Sequence, residues 1–152
     1  MRLLIAAVGK AKAGPEQELF RQYCRRLTPP PILKEVEEKR PLSGAQLKAR
    51  EAELLLAVIP DGAKVVALDE RGRDLGSVEF AGKLRDWRDG GAQDIAFVIG
   101  GADGHGDAVR DRADLLLSFG RLTWPHMLVR ALLAEQLWRA HSILTGHPYH
   151  RA

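Results

Sequence analysis

Four short runs, Leu3 to Val8, Val65 to Leu68, Ile95 to Ile99 and Leu115 to Phe119, are almost unbroken aliphatic or aromatic segments, each followed by Gly or Asp. A strand with one face in water alternates apolar and polar residues, so runs this uniformly apolar require cover on both faces, as in a parallel sheet. A fifth run, Ile32 to Lys39, follows Pro29-Pro30-Pro31 and is full of Lys and Glu, which suits an exposed edge strand guarded against unwanted pairing.

Helical patterns alternate with the strands. Pro15 after Gly14 stands where a first helical turn accepts proline, with Glu16 and Glu18 favourable to the helix dipole. Ser43 to Gln46 matches a capping box, flanked by Leu42 and Leu47 as a hydrophobic staple. Phe80, Leu84 and Trp87 share one helical face before Gly90-Gly91 ends it. Strands alternating with helices predict an α/β fold, a mostly parallel sheet with helices on both faces and right-handed crossovers. With 152 residues, 45% of them apolar, one domain spanning 1–152 is expected.

The last helical segment, Pro125 to about Gly146, is apolar on two sides. Val129, Leu132, Leu133, Leu137, Ala140, Ile143 and Leu144 form an ordinary core face, while Met127, Ala131, Ala134 and Trp138 form a second stripe. The second stripe predicts a symmetric homodimer seam. Polar residues beside it are lopsided, with Arg121, Arg130, Arg139 and Arg151 against Glu135, and with His126, His141, His147 and His150 nearby. They read either as a solvated surface or as a rim contacting phosphates.

Ligands of open α/β sheets bind beyond the carboxyl ends of the strands. The loops that matter are therefore Gly9-Lys10, Asp69 to Gly72, Gly100 to Gly106 and Gly120 to Pro125. The glycine-rich Ile99 to Gly106 lets backbone approach a nucleotide-like ligand. The third glycine of a dinucleotide fingerprint is missing after Gly104-His105-Gly106, and no Gly-Lys-Ser/Thr of a P-loop occurs, which argues against an oxidoreductase and an NTPase. No Gly-x-Ser-x-Gly elbow supports a serine hydrolase. His147 and His150 lack a nearby cysteine or carboxylate cluster to complete a metal shell, so no metal is expected. The lone Cys24 sits on an apolar helix face and reads as a core residue of a reducing compartment. The apolar N-terminal run is short and no small-residue cleavage pattern follows it, so it reads as a strand rather than a signal peptide. No later run is long enough to cross a bilayer, and a cytoplasmic location is expected. Charge permits a nucleic-acid partner without demanding one, because 23 Lys plus Arg stand against 20 Asp plus Glu.

Taken together, Ala67 to Gly72 with Ser77 to Ala81, Ile99 to Gly104, Leu117 to Arg130 and Tyr149-His150-Arg151 resemble the RlmH family of SPOUT-class methyltransferases in order and spacing, over essentially the whole chain. That family methylates N3 of a pseudouridine in 23S ribosomal RNA. The resemblance implies a deep C-terminal trefoil knot, an exception to the rule against threading, with the knot and dimerisation region at roughly 64–152. It implies S-adenosyl-L-methionine as methyl donor, released as S-adenosyl-L-homocysteine, in a pocket of Leu68, Gly100, Gly120, Arg121, Leu122, Thr123, Trp124 and Pro125. Gly120-Arg121 stands where relatives often have Ser-Lys, and the His105-Gly106 stretch is more polar and flexible than expected there. His126, Arg130, Tyr149, His150 and Arg151 become the catalytic candidates, with the tail completing the partner's site across the dimer. Large-subunit rRNA within the assembled ribosome is the expected substrate, and neither DNA nor a membrane is an expected partner. A related knotted tRNA methyltransferase, or a noncatalytic ribosome-binding module, is the alternative reading.

Overall fold

A computed structural model describes residues 1–151. The elements run β1 (Arg2–Val8), α1 (Pro15–Arg25), β2 (Ile32–Val36), α2 (Gly44–Ala57), β3 (Lys64–Asp74), α3 (Ser77–Asp89), β4 (Asp94–Ile99), α4 (Asp107–Arg112), β5 (Leu115–Ser118) and α5 (His126–Thr145). The five strands form one sheet in the order β2-β1-β4-β3-β5, and every pairing is parallel.

The apolar runs are buried on both faces for the reason their composition gave. Ile5 and Ala7 of β1, Val66 of β3 and Ile95, Phe97 and Ile99 of β4 pack against α1, α3 and α5. Their sequence neighbours Leu4, Ala6, Val65, Ala67, Ala96 and Val98 point the other way, against Ala52 and Leu55 of α2 and Val109 of α4. Successive side chains of a strand alternate faces, so both layers draw on the same runs. The lysine- and glutamate-rich β2 is an edge strand bonded only to β1. Helix α1 begins at Pro15 as expected, and Gly90 caps α3. The capping box at Ser43 does not form: Ser43 precedes α2, but its side chain makes no capping bond.

The two-sided helix finds its cover inside its own chain. Ala131 and Ala134 are buried with Leu133, Leu137 and Ala140 in the core shared with α1 and α3, so the stripe assigned to a partner faces home. Small residues are needed there because α5 lies in a groove between two helices and the sheet, where backbones approach closely.

Strand β3 outlasts its apolar run. Leu68 pairs with Leu117, and after a register shift Arg73 pairs with the same Leu117, so residues 69–72 bulge between the two ladders. Gly72 crosses directly over β5: a Cβ there would lie 2.6 Å from the Leu116 carbonyl carbon and oxygen and 2.8 Å from the Leu117 nitrogen. Backbone cannot yield as a side chain can, so Gly72→Ala is expected to cost about 2 kcal/mol by overpacking, or roughly 4–8 °C in thermal unfolding. The control Gly82→Ala lies inside α3, where a Cβ meets nothing nearer than the flexible Arg85 guanidinium at 3.7 Å, and it should be neutral or stabilising.

Candidate active site

A cavity of about 770 Å³ opens at the carboxyl ends of β3, β4 and β5. Of the eight residues expected to hold the cofactor, Leu68, Gly100, Gly120, Leu122, Thr123, Trp124 and Pro125 line it. Arg121 does not, and is exposed. Three chain segments separated by some fifty residues in all meet here because β3, β4 and β5 end side by side.

Each segment is shaped locally. Leu68 and Ile99 pair at the ends of their strands, after which Gly100 and Gly101 leave the sheet. The Gly104 amide donates to the Gly101 carbonyl at 3.0 Å, closing a tight turn with Gly104 at φ 83°. At Gly100 a Cβ would stand 3.1 Å from His105 Nδ1 and 3.2 Å from the Gly104 carbonyl, so only glycine leaves this wall flat. In the third segment the Gly120 amide donates to the Ser118 hydroxyl at 3.0 Å. Thr123 Oγ1 donates to Glu70 Oε2 at 3.4 Å and Trp124 Nε1 to the Phe119 carbonyl at 3.3 Å, which stitches residues 119–125 to the β3 bulge. Asp69 is buried below the bulge, 3.5 Å from the guanidinium groups of both Arg71 and Arg110. The volume, the bare glycine backbone and the apolar Leu68, Ile99, Leu122 and Val129 fit a nucleoside bearing a small amino-acid arm.

His105 departs from the flexible, polar stretch expected. It is 4% exposed, and its Nε2 lies 3.1 Å from the Val98 carbonyl near the carboxyl end of β4. Nδ1 has no partner. Burial holds the imidazole below its ordinary pKa, against the opposing pull of the Val98 carbonyl and Asp69. His105 is therefore a neutral part of the cavity floor.

The catalytic candidates scatter. His126, the first residue of α5, lines the cavity, with a buried Nδ1 that has no partner. Arg130 does not reach it. Its side chain is 4% exposed, and its guanidinium donates to Glu35 Oε2 at 2.5 Å, the Gly9 carbonyl at 2.9 Å and the Val8 carbonyl at 3.3 Å. Arg130 is thus a strap joining α5 to the ends of β1 and β2, and its place as a catalytic candidate is corrected. Burial alone would raise the Glu35 carboxyl, but the Arg130 and Ala11 hydrogen bonds with the charges of Arg130 and Lys10 hold it below the usual range.

Tyr149 and His150 lie along the second half of α5, outside the cavity, and Arg151 is exposed. The Tyr149 hydroxyl donates to Glu135 Oε1 at 3.0 Å, and its ring packs at 5.8 Å from Trp138 and 5.0 Å from the Arg139 guanidinium. Burial, then Tyr23 and Glu135, push that hydroxyl up to about 12. Glu135 also pairs with Arg139 one turn on. A smaller cavity of about 360 Å³ touches Glu135 and Leu132 on one side and Phe119, Gly120 and Trp124 on the other, so Glu135, which holds the tail through Tyr149, and the large cavity border a common hollow. Of the two tail histidines, His147 Nδ1 accepts from the Tyr149 amide at 3.1 Å and His150 Nδ1 faces Arg139. Cys24 is buried, and burial pushes its thiol up to about 11, which withholds the thiolate.

Sequence reasoning missed Lys48 of α2, which reaches the cavity from the opposite layer, and Glu35, whose partner lies 95 residues away. The Glu135–Arg139 pair carried a readable signal in its four-residue spacing.

The family model described as a predicted SPOUT methyltransferase matches residues 1–150. A ribosomal RNA large subunit methyltransferase H from Paramagnetospirillum magneticum is 87% identical over 151 residues, covering 99% of both chains. A protein of the same name from Rhodospirillum centenum is 60% identical over 152 residues and covers 100% of both. The solved structure of a probable methylase family protein from Haemophilus influenzae Rd KW20 has TM-score 0.58 at 13% identity, covering 99% of this chain and 70% of that one, a likeness of fold. The knot-class expectation, the parallel α/β sheet and the full-length sequence match agree: the chain belongs to the SPOUT methyltransferase family.

Proposed function

We propose that this protein methylates N3 of a pseudouridine in 23S ribosomal RNA, using S-adenosyl-L-methionine, as a cytoplasmic homodimer acting on the assembled ribosome. The observation that carries the reading is the single cavity in which Leu68, Gly100 and residues 120 and 122–125 converge from three strand ends. Its relatives at 87% and 60% identity bear the name of a large-subunit rRNA methyltransferase. The crossing of Gly72 over the β5 backbone supports the trefoil knot.

When bound, the donor supplies a methyl group on a positively charged sulfur, open to in-line attack. The chain's work is then positioning. Gly100 and Gly120, with bare backbone, and Leu68 and Leu122, with apolar side chains, would hold the adenosine of the donor. Pseudouridine N3 is an imide nitrogen that must lose its proton, so groups near the base hold the resulting charge. His126 stands at the cavity wall. Tyr149, His150 and Arg151 serve the partner's cavity, since in one chain none of them lines the large cavity and Tyr149 is held at Glu135, beside the neighbouring hollow. A second copy would cover that hollow, where Leu132 is half-buried and Trp124 is 41% exposed, together with Leu122 of the large cavity, which is 74% exposed.

Among the described residues no helix is long and apolar enough to cross a membrane. A net charge of +3 offers little grip on naked RNA, which is why the substrate is placed in the assembled ribosome, where other components add contacts. Labelled methyl transfer to ribosomes from a strain lacking this protein tests the whole. Intact ribosomes should be modified at least tenfold faster than free rRNA, with the label mapping to one pseudouridine. Label in tRNA would reject the substrate, equal rates on free rRNA would reject the ribosome requirement, and no donor binding by calorimetry would reject catalysis.

A further inference from the structure

His150 carries two ring nitrogens, and which of them holds the proton sets the direction of its hydrogen bonding. The geometry on α5 supplies it. Nδ1 of His150 lies 3.1 Å from Nη1 of Arg139. A guanidinium only donates, so Nδ1 must accept through its lone pair, and the ring's one proton is then on Nε2. A doubly protonated imidazole would set an N–H against that same guanidinium.

Arg139 cannot turn away to release the ring. Glu135 Oε1 accepts from its Nε at 2.9 Å and its Nη2 at 2.5 Å. The Tyr149 ring lies 5.0 Å from the same guanidinium, and the Tyr149 hydroxyl is itself tied to Glu135 at 3.0 Å. The guanidinium is thus held at one edge by a carboxylate and against one face by an aromatic ring, with Nη1 left for His150.

From this arrangement we propose that Arg139 fixes His150 as the Nε2–H tautomer, so that His150 acts on the substrate as a hydrogen-bond donor to a carbonyl oxygen flanking the imide nitrogen, and not as the base that removes the imide proton. Arg139 is a positioning residue and Glu135 its anchor. The proposal rests on the tail reaching a partner's cavity. In the step itself the N3 proton leaves to solvent. The nitrogen's electron pair then forms the new N–C bond while the methyl carbon's bond to sulfur breaks, its electrons remaining on sulfur. Negative charge shared with the flanking carbonyl oxygens during that sequence is what an Nε2–H stabilises, and a donor aimed at a developing oxyanion is worth about 10²-fold.

The amide nitrogen of glutamine overlays Nε2 of histidine and only donates, so His150→Gln separates donor from base. In single-turnover assays on intact ribosomes, with folding checked by thermal melting, His150→Ala should fall about 100-fold in the maximal rate and His150→Gln no more than about fivefold. The glutamine variant should keep the shape of the wild-type pH–rate profile. Arg139→Ala should lower the rate, and long-range proton–nitrogen NMR of the wild-type protein should show Nδ1 of His150 unprotonated, the signal being assigned by its loss in His150→Gln. A glutamine variant as impaired as the alanine one, or a pH–rate profile that loses an ionisation step in both, would overturn the donor assignment while leaving the tail in the site. A loss confined to the ribosome KM would place the donor on an RNA phosphate and also overturn it. An alanine variant at the wild-type rate would instead remove the tail from the site altogether.

Discussion

Replacing Arg130 by alanine is expected to lower the melting temperature by roughly 6–12 °C, corresponding to about 3 kcal/mol lost from a chain of this size. The side chain is 4% exposed and satisfies three acceptors at once, the Glu35 carboxylate and the carbonyls of Val8 and Gly9. Removing it leaves those oxygens without their donor in a largely buried site, where the Glu35 carboxylate is 27% exposed. The cost falls on the junction that aligns α5 with the ends of β1 and β2, and hence on His126 at the cavity.

The pH dependence has a definite sign. Glu35 is held below the ordinary carboxylate value of about 4.3, so its contribution to wild-type stability is complete above that pH and is lost as pH falls through the lowered native value. Without Arg130 the largest remaining influence is burial, which raises the carboxyl. The deficit of Arg130→Ala should therefore be greatest near pH 7 and shrink on acidification to about pH 4. Calorimetric melts of both proteins across that range decide it, and a difference under 2 °C at pH 7 would return Arg130 to the catalytic candidates.

Deleting residues 147–152 is expected to reduce methylation at least about 10³-fold while leaving a folded protein that still binds the methyl donor. The activity falls because Tyr149, His150 and Arg151 are removed together. The fold survives because the tail packs on the outside of α5: Tyr149 covers Trp138 and Arg139 and meets Glu135, contacts worth about 1–2 kcal/mol. Among the described residues of the deleted segment, 147–151, none lines the large cavity, so donor affinity should change little. Calorimetry with the donor, thermal melting and single-turnover transfer to ribosomes separate the three quantities. Full transfer by the truncated protein would exclude the tail from the chemistry.

Strand and loop positions were legible in the sequence because both-sided burial writes itself into consecutive residues. The four apolar runs became β1, β3, β4 and β5, and the glycines that follow β4 and β5 became walls of the cavity. The polar extension of β3, residues 69–74, left no such trace, because it lies at the rim where Glu70, Arg71, Arg73 and Asp74 are exposed and no apolar side chain is buried. Helix α5 was legible as a helix apolar on two sides, but not in what covered the second side. A periodic pattern records that a face is buried and carries no record of whether the cover is α1, α3 or another molecule.

The amino-acid order by itself determined the layered parallel sheet, the helix start at Pro15, and the set of loops that could meet a ligand, because each depends on neighbours within a few residues. Tertiary structure alone decided that Arg130 is a strap to Glu35, that Ala131 and Ala134 face inward, that His105 closes the end of β4, and that Arg139 orients His150. Three of those four turn on a side-chain hydrogen bond, the other on a helix fitting its groove, and the nearest of the bonds in sequence, His105 to Val98, spans seven residues with the glycine turn at 101–104 between. A polar side chain takes its role from the donor or acceptor that burial places against it, and that partner is chosen by the fold.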